Sequence, residues 1–422
     1  MRVIKYLLLF ILLPSGIAAQ HIPVLTLEEA NALAAQHYPL LRQKALTQKS
    51  SGLAMDNLKK NYLPQVGISA QASYQSAVTE VPIKIPTFQF EPLSKDQYRA
   101  LLDVSQLIYD GGSISEQRKV QLWNDKIEDQ KIEVELQKLR ERINQVYFNA
   151  LFAEEQITLT RLIDKDLDAG ISRVDAQVKN GTAYRSALSL LKAEKLRNGQ
   201  RETEWQVTRT GLVRVLSEFI GSPIAESVKL EWPNAKNIML TDTINRSELG
   251  LLNFQDSLLQ QKDRLIDVRN RPKFSAFLQG GYGKPGLNML VNEFDFFYLT
   301  GMRANWQLSS LYTSKKDRQM LEVNRQVLEV QRDNFLLQTR AQQIQQKAEI
   351  RKWASLLKTD EEIIVLKTEI KDAARAQLDN GVITASDYIR EVNAEDQARL
   401  NKVFHQLQWV QSIINYQTIS GK

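Results

Sequence analysis

The sequence contains no cysteine, which excludes disulfides, thiolate metal sites and the lipid-bearing cysteine that follows the signal of a bacterial lipoprotein. Long apolar runs are missing as well. After the first residues no stretch approaches the roughly 20 residues a membrane helix needs, so any passage through a bilayer has to be made by strands. Histidine is scarce, and His21, His37 and His405 are scattered with no metal-ligand spacing and no serine triad around them. Proline is absent from 93–222 and 286–422, and glycine from Ser113–Ala169 and Met302–Asn380. Without either helix breaker these windows read as long helices. A helix over the first of them is roughly 85 Å long at about 1.5 Å per residue, more than a globular domain can hold. Charge of one sign is also lacking: the net is +6 at pH 7, with acids and bases mixed along the chain, which reads as solvated helix faces and excludes a nucleic-acid patch. With 25% charged and 43% hydrophobic residues the chain is folded.

What is present begins with Arg2 and Lys5, an apolar run from Leu7 to Leu13, and Pro14, Ser15, Gly16, Ile17, Ala18 and Ala19. Basic start, short apolar core and small-residue end make residues 1–19 a signal peptide. Cleavage after Ala18 or after Ala19 both remain open. Two motifs are discounted. Gly281-Tyr282-Gly283-Lys284-Pro285-Gly286 fits a dinucleotide fingerprint on paper, but Pro285 sits inside it and no helix follows, so it reads as a strand end and turn. Asn180-Gly181-Thr182 is a glycosylation sequon better explained as helix termination.

The remainder of the chain is an internal duplication. At one common offset Pro64 matches Pro272, Gln71 matches Gln279 and Tyr74 matches Tyr282; at a slightly shorter one Ala176-Gln177-Val178-Lys179-Asn180-Gly181 matches Ala376-Gln377-Leu378-Asp379-Asn380-Gly381, and Gly221 matches Gly421. The first repeat is 20–221, with strands at about 65–75 and 98–109 and a helical hairpin at about 113–220. The second is 222–422, with strands at about 273–283 and 297–308 and a hairpin at about 311–420. Ile132, Leu136, Leu139, Ile143, Val146, Ala150, Ala153 and Ile157 step by four and three, as do Val323, Val327, Val330, Asn334, Leu337, Ala341, Ile344 and Ala348. That is a coiled-coil seam, and Leu400, Val403, Leu407, Val410 and Ile414 offer a returning helix to pack against it. Each hairpin turns near Asn180-Gly181 or Asn380-Gly381, where glycine supplies the left-handed conformation of a helix end.

Strand alternation is unbroken from Gln65 to Tyr74: Val66, Ile68, Ala70, Ala72 and Tyr74 share one face, expected to meet lipid, and Gln65, Gly67, Ser69, Gln71 and Ser73 share the other. Phe274, Ala276, Leu278, Gly280 and Tyr282 repeat the phase, and Met302, Ala304, Trp306 and Leu308 alternate in a partner strand. One chain thus offers about four strands, whereas the smallest membrane barrels have about eight. The barrel has to be closed by several copies, as a dimer or a trimer.

This order of signal, helix, proline-started strand hairpin, and long helical hairpin closing on asparagine-glycine, given twice, resembles the TolC-like outer membrane efflux family over nearly the whole mature chain. The resemblance implies a mainly α fold with a β-barrel part: two tandem strand-strand-long helical hairpin repeats forming a shared trimeric, 12-stranded barrel and a periplasmic α-helical tunnel. It implies a homotrimer in the cell outer membrane with a long periplasmic extension, partnered by a periplasmic adaptor (membrane fusion) protein and an inner-membrane efflux pump or ABC exporter, with no cofactor and no catalysis. It places adaptor contacts at Asn180, Gly181, Thr182 and Ala183 and at Asn380, Gly381, Val382 and Ile383. Asp387, six residues beyond Gly381, matches an acidic position of the family's constricted entrance; Ala187 does not, and Arg390 stands where a second acid occurs. A periplasmic coiled-coil adaptor or scaffold is the rival reading, but it calls for one hairpin among soluble β domains, where this chain has two equivalent hairpins.

Overall fold

The computed structural model describes residues 24–79, 93–234 and 240–422; the expected signal peptide lies outside them. In chain order the elements are β1 (Val24–Leu25), α1 (Leu27–His37), α2 (Leu40–Lys60), β2 (Gln65–Tyr74), β3 (Asp96–Tyr109), α3 (Ser113–Lys179), α4 (Arg185–Ile220), β4 (Lys229–Leu230), α5 (Ser247–Arg269), β5 (Lys273–Lys284), β6 (Asp295–Asn305), α6 (Ser310–Asp379) and α7 (Ala385–Ser420). They form two compact units, one made of the described residues within 40–135 and 245–338 and the other of those within 24–39, 136–244 and 339–422.

The first unit carries a four-stranded sheet of order β2-β3-β5-β6, antiparallel throughout. Each repeat contributes one hairpin, and β3 pairs with β5 to join them, Val104 opposite Leu278 and Ala100 opposite Tyr282. Directly opposed residues project to the same face, so the register aligns the period-two patterns of all four strands. Val66, Val104, Leu278 and Thr300 form one row, and Ile68, Leu102, Gly280 and Tyr298 the next but one. Between them lies a row of Gly67, Asp103, Gln279 and Leu299 on the opposite face. Trp306 and Leu308, expected to prolong the last strand, fall beyond its end: Trp306 Nε1 donates to the Asn270 carbonyl at 2.9 Å and the Leu308 carbonyl accepts from the Leu311 amide at 3.0 Å, turning the chain into α6. At the equivalent junction Asp110 Oδ1 accepts from the Gly112 amide at 2.8 Å and Oδ2 from the Ile114 amide at 2.6 Å. That satisfies two of the amides a helix start leaves free.

In the second unit the core gathers on α3. Leu139, Ile143, Tyr147, Phe148, Ala150 and Leu151 are buried, and they pack with Leu25 and Leu27 from the N-terminal segment, Leu216 and Ile220 of α4, and Leu407, Val410 and Ile414 of α7. The apolar stripe of α7 therefore serves the seam of α3, while contacts between α6 and α7 include ion pairs and polar hydrogen bonds: Lys402 to Glu361 at 2.6 Å, His405 Nδ1 with Asp360 at 2.8 Å and the Thr368 hydroxyl to Glu395 at 2.8 Å. The seam of α6 is left open: Val323, Val330, Leu337 and Ile344 are exposed, and Val327, the least so, is still 47% exposed. Two copies of one sequence pattern thus meet different fates within the chain.

Tyr147 ties the N-terminal segment to this core. β1 and β4 pair in parallel, Leu25 beside Leu230, and the Tyr147 hydroxyl proton is shared between the Leu25 and Glu231 carbonyls at 2.7 and 2.8 Å. Burial raises the Tyr147 pKa above the ordinary phenol value, so the group stays a donor. Replacing Tyr147 by Phe leaves buried carbonyls short of a donor, a loss of about 1–3 kcal/mol. We expect a lower denaturant midpoint for the detergent-purified protein together with earlier protease cleavage between β1 and α1.

Candidate functional surfaces

The two helical turns have the same backbone construction. The Gly181 amide donates to the Val178 carbonyl at 3.1 Å and the Thr182 amide to the Gln177 carbonyl at 2.8 Å; the Gly381 amide donates to Leu378 at 3.0 Å and the Val382 amide to Gln377 at 2.8 Å. This pair of bonds is the Schellman ending, with φ of +75° at Gly181 and +71° at Gly381. A Cβ at either glycine would meet nothing within 4 Å, so backbone conformation and not space demands the residue. The turns lie side by side: Gln177 Nε2 donates to the Leu378 carbonyl at 3.2 Å, and Arg173 faces Asp379 at 3.8 Å. Beneath them Val174, Leu191, Ala374, Leu378, Tyr388 and Ile389 form a second buried cluster, with Ala183 and Ile383 packed on its edge. Asn180, Gly181, Thr182, Asn380, Gly381 and Val382 remain exposed.

The turns differ in how the next helix starts. Thr384 and Asp387 form a capping box: the Asp387 amide donates to the Thr384 hydroxyl oxygen at 3.3 Å and the Thr384 amide donates to the Asp387 carboxylate at 3.2 Å. The Thr384 hydroxyl, then its amide, and Arg390 at 3.4 Å hold the Asp387 carboxyl below the usual range. At the matching positions Tyr184 provides no side-chain cap, and Ala187 packs against the cluster. The Thr-x-x-Asp spacing carries this capping role in the sequence itself.

On the sheet, Val66, Ile68 and Tyr74 are exposed, Ile68 by 84%; the Ile68 row of Leu102, Gly280 and Tyr298 carries no charge, the Val66 row is apolar as far as Thr300, and Tyr74 lies opposite Asp96 at the strand end. The other face is polar in part: Gln279 Nε2 donates to Asp103 at 2.6 Å, and the Arg303 guanidinium lies 4.9 Å from the Phe277 ring centre. Aromatic rings collect at both strand ends. Tyr282 meets Phe296 at 4.4 Å and Phe294 at 5.5 Å between centroids, with Tyr98 at 6.2 Å from Phe294; at the other end Tyr109 pairs with Phe274 at 6.1 Å. An apolar band bounded by aromatic residues is the pattern of a membrane strand. Among the described residues no helix is long and apolar enough to cross a membrane.

The family model for outer membrane efflux protein matches residues 31–213. Among solved structures the chain is similar in fold to CusC, whose crystal structures concern folding and transmembrane channel formation, at TM-score 0.70 and 12% identity over 94% of this chain and 92% of that one. It is similar to the outer-membrane channel OprN at TM-score 0.70 and 10% identity, over 94% and 89% of the two chains. It is also similar to the outer membrane protein VceC of Vibrio cholerae at TM-score 0.66 and 13% identity, over 94% and 96%. No curated protein matches by sequence.

Proposed function

We propose, from the family match over residues 31–213 and the fold similarity over 94% of the length, that the chain is one of the TolC-like outer membrane efflux proteins and acts as the passive outer-membrane duct of a tripartite efflux or secretion system. The observation that carries this reading is the sheet: four strands with one face apolar over its middle rows, and edges β2 and β6 that, among the described residues, each pair on one side only. An open edge cannot persist in hydrocarbon. Three copies, contributing four strands each, close a 12-stranded barrel, and the exposed seam of α6 supplies a coiled-coil surface for a neighbouring copy. The protein is then a homotrimer held in outer-membrane lipid by its barrel, with the helical hairpins in the periplasm. The channel role, and not enzyme chemistry, follows from the family.

The paired turns are where we place the periplasmic adaptor, itself fed by an inner-membrane pump or ABC exporter. Asn180, Gly181, Thr182, Ala183, Asn380, Gly381, Val382 and Ile383 form the contact, supported by the identical backbone of the two turns and the exposure of six of these residues. Asp387, in the first turn of α7, is the acidic residue we assign to the periplasmic constriction, in addition to its capping role. Val66, Ile68, Ala70, Ala72 and Tyr74 face lipid.

Three experiments test this. With Thr182 and Val382 both changed to arginine, trimers form in the outer membrane but adaptor crosslinking and export are lost; exposed substitutions of this kind shift stability by only about 0.5 kcal/mol. Parental crosslinking and export in such trimers would remove the turns from docking. On the sheet, Ile68→Arg impairs insertion, since arginine on the lipid face costs roughly 2–4 kcal/mol at the midplane, whereas Ser69→Arg assembles, as read by the yield of outer-membrane trimer; equal damage at both contradicts the assigned faces. In planar bilayers Asp387→Asn lowers cation preference and divalent block, because a ring of carboxylates attracts cations. Unchanged values take Asp387 out of the constriction.

A further inference from the structure

Within the helical unit a groove of about 490 Å³ opens between α3, α4 and α7. Leu159, Ile163 and Trp205 give it an apolar wall, and Gln156 and Asp396 bring polar groups to it. Both polar groups are incomplete: Asp396 Oδ2 and Gln156 Nε2 are shielded from solvent and have no hydrogen-bond partner, and Gln156 is only 3% exposed. Arg201 lines the same groove, while Lys371 and Arg399, the cations whose charge acts on Asp396, are engaged elsewhere. Lys371 bridges Asp166 at 2.9 Å and Glu395 at 2.6 Å, and Arg399 pairs with Glu395 at 2.5 Å. The groove therefore presents a carboxyl oxygen that calls for a donor or cation, an amide hydrogen that calls for an acceptor, and an indole ring of the kind that attracts organic cations.

We propose that this groove binds a small amphiphilic amine bearing a hydroxyl or carbonyl oxygen, its ammonium on Asp396, its oxygen on Gln156 Nε2 and its apolar body against Trp205, Leu159 and Ile163. Each unpartnered atom gains its missing partner in that arrangement, and the apolar wall loses its contact with water. The site is separate from the helical turns and does not depend on adaptor docking.

Binding is linked to protons. Burial first, and then the neighbouring Glu395, raise the Asp396 carboxyl to about 7. The charged groups around it are Asp166 on α3, Arg201 and Glu204 on α4, Lys371 on α6, and Glu395 and Arg399 on α7. An ammonium favours the carboxylate, so each ligand that binds to protonated Asp396 displaces a proton. Affinity rises with pH through this value, by about tenfold from pH 6 to pH 8, the change in ionised fraction of a group titrating at about 7.

Isothermal titration of the full-length, detergent-purified protein with 2-amino-1-phenylethanol tests this, with 2-phenylethanol as the uncharged control. The expected result is saturable binding of the amine, about tenfold tighter at pH 8 than at pH 6, with proton release and no saturable binding of the alcohol. Asp396→Asn abolishes amine binding, and Gln156→Leu, which keeps the side-chain bulk, weakens it at least about fivefold. Circular dichroism and oligomer size confirm that each variant is folded; should Asp396→Asn fail this check, Gln156→Leu and the pH series decide. No saturable heat at pH 8 means that water alone fills the groove and overturns the proposal. So do equal affinity at pH 6 and pH 8, equal binding of the alcohol, or parental affinity in a folded variant.

Discussion

A backbone amide or carbonyl without a partner is tolerable in water and costs several kcal/mol in hydrocarbon. The sheet of this protein carries two rows of such groups, along the free sides of β2 and β6. Its apolar face suits lipid, yet its edges do not, and no strand in the described part of the chain covers them. The organisation of the protein follows from this mismatch. Each repeat supplies one hairpin, the β3–β5 pairing removes the edge between them, and the outer edges stay unpaired among the described residues.

The helices divide in a similar way. Both long helices carry an apolar seam, but that of α3 is covered within the chain by α4 and α7, whereas that of α6 stays bare along much of its length. The pairing of α6 with α7 combines apolar contacts near the turns, Leu378 with Tyr388 and Ile389 among them, with ion pairs such as Lys402–Glu361 and Lys371–Glu395. A buried Glu395 held by Lys371, Arg399 and Thr368 fixes one alignment of the helices, because removing any partner leaves charge poorly compensated. Apolar area unused inside the chain is then available between chains.

The paired turns combine sameness of backbone with difference of charge. Both end a helix on a left-handed glycine with the same two hydrogen bonds, but only the second begins the next helix with a capping box. Asp387 therefore has a local structural role at the start of α7. Its carboxylate is committed to the Thr384 amide and hydroxyl and to Arg390, which orients it at the start of α7.

Much of this architecture is written in local residue order. The windows without proline and glycine mark long helices because those two residues most disfavour a helix interior, although α3 runs on through Gly170 to Lys179; the unbroken alternation from Gln65 to Tyr74 marks a strand because side chains there point to opposite faces; and Gly181 and Gly381 mark the turns because only a residue without Cβ takes positive φ at little cost. Tertiary structure decided what these patterns meet. Identical heptad spacing does not say that the α3 seam is covered and the α6 seam bare, since periodicity fixes a face and not its neighbour. Nor does it disclose the Tyr147 clamp on two carbonyls, the Lys371–Glu395 cluster, or the groove of Asp396 and Gln156. Each of these joins residues far apart in sequence, and whether a polar atom is paired or buried depends on groups that only packing brings beside it.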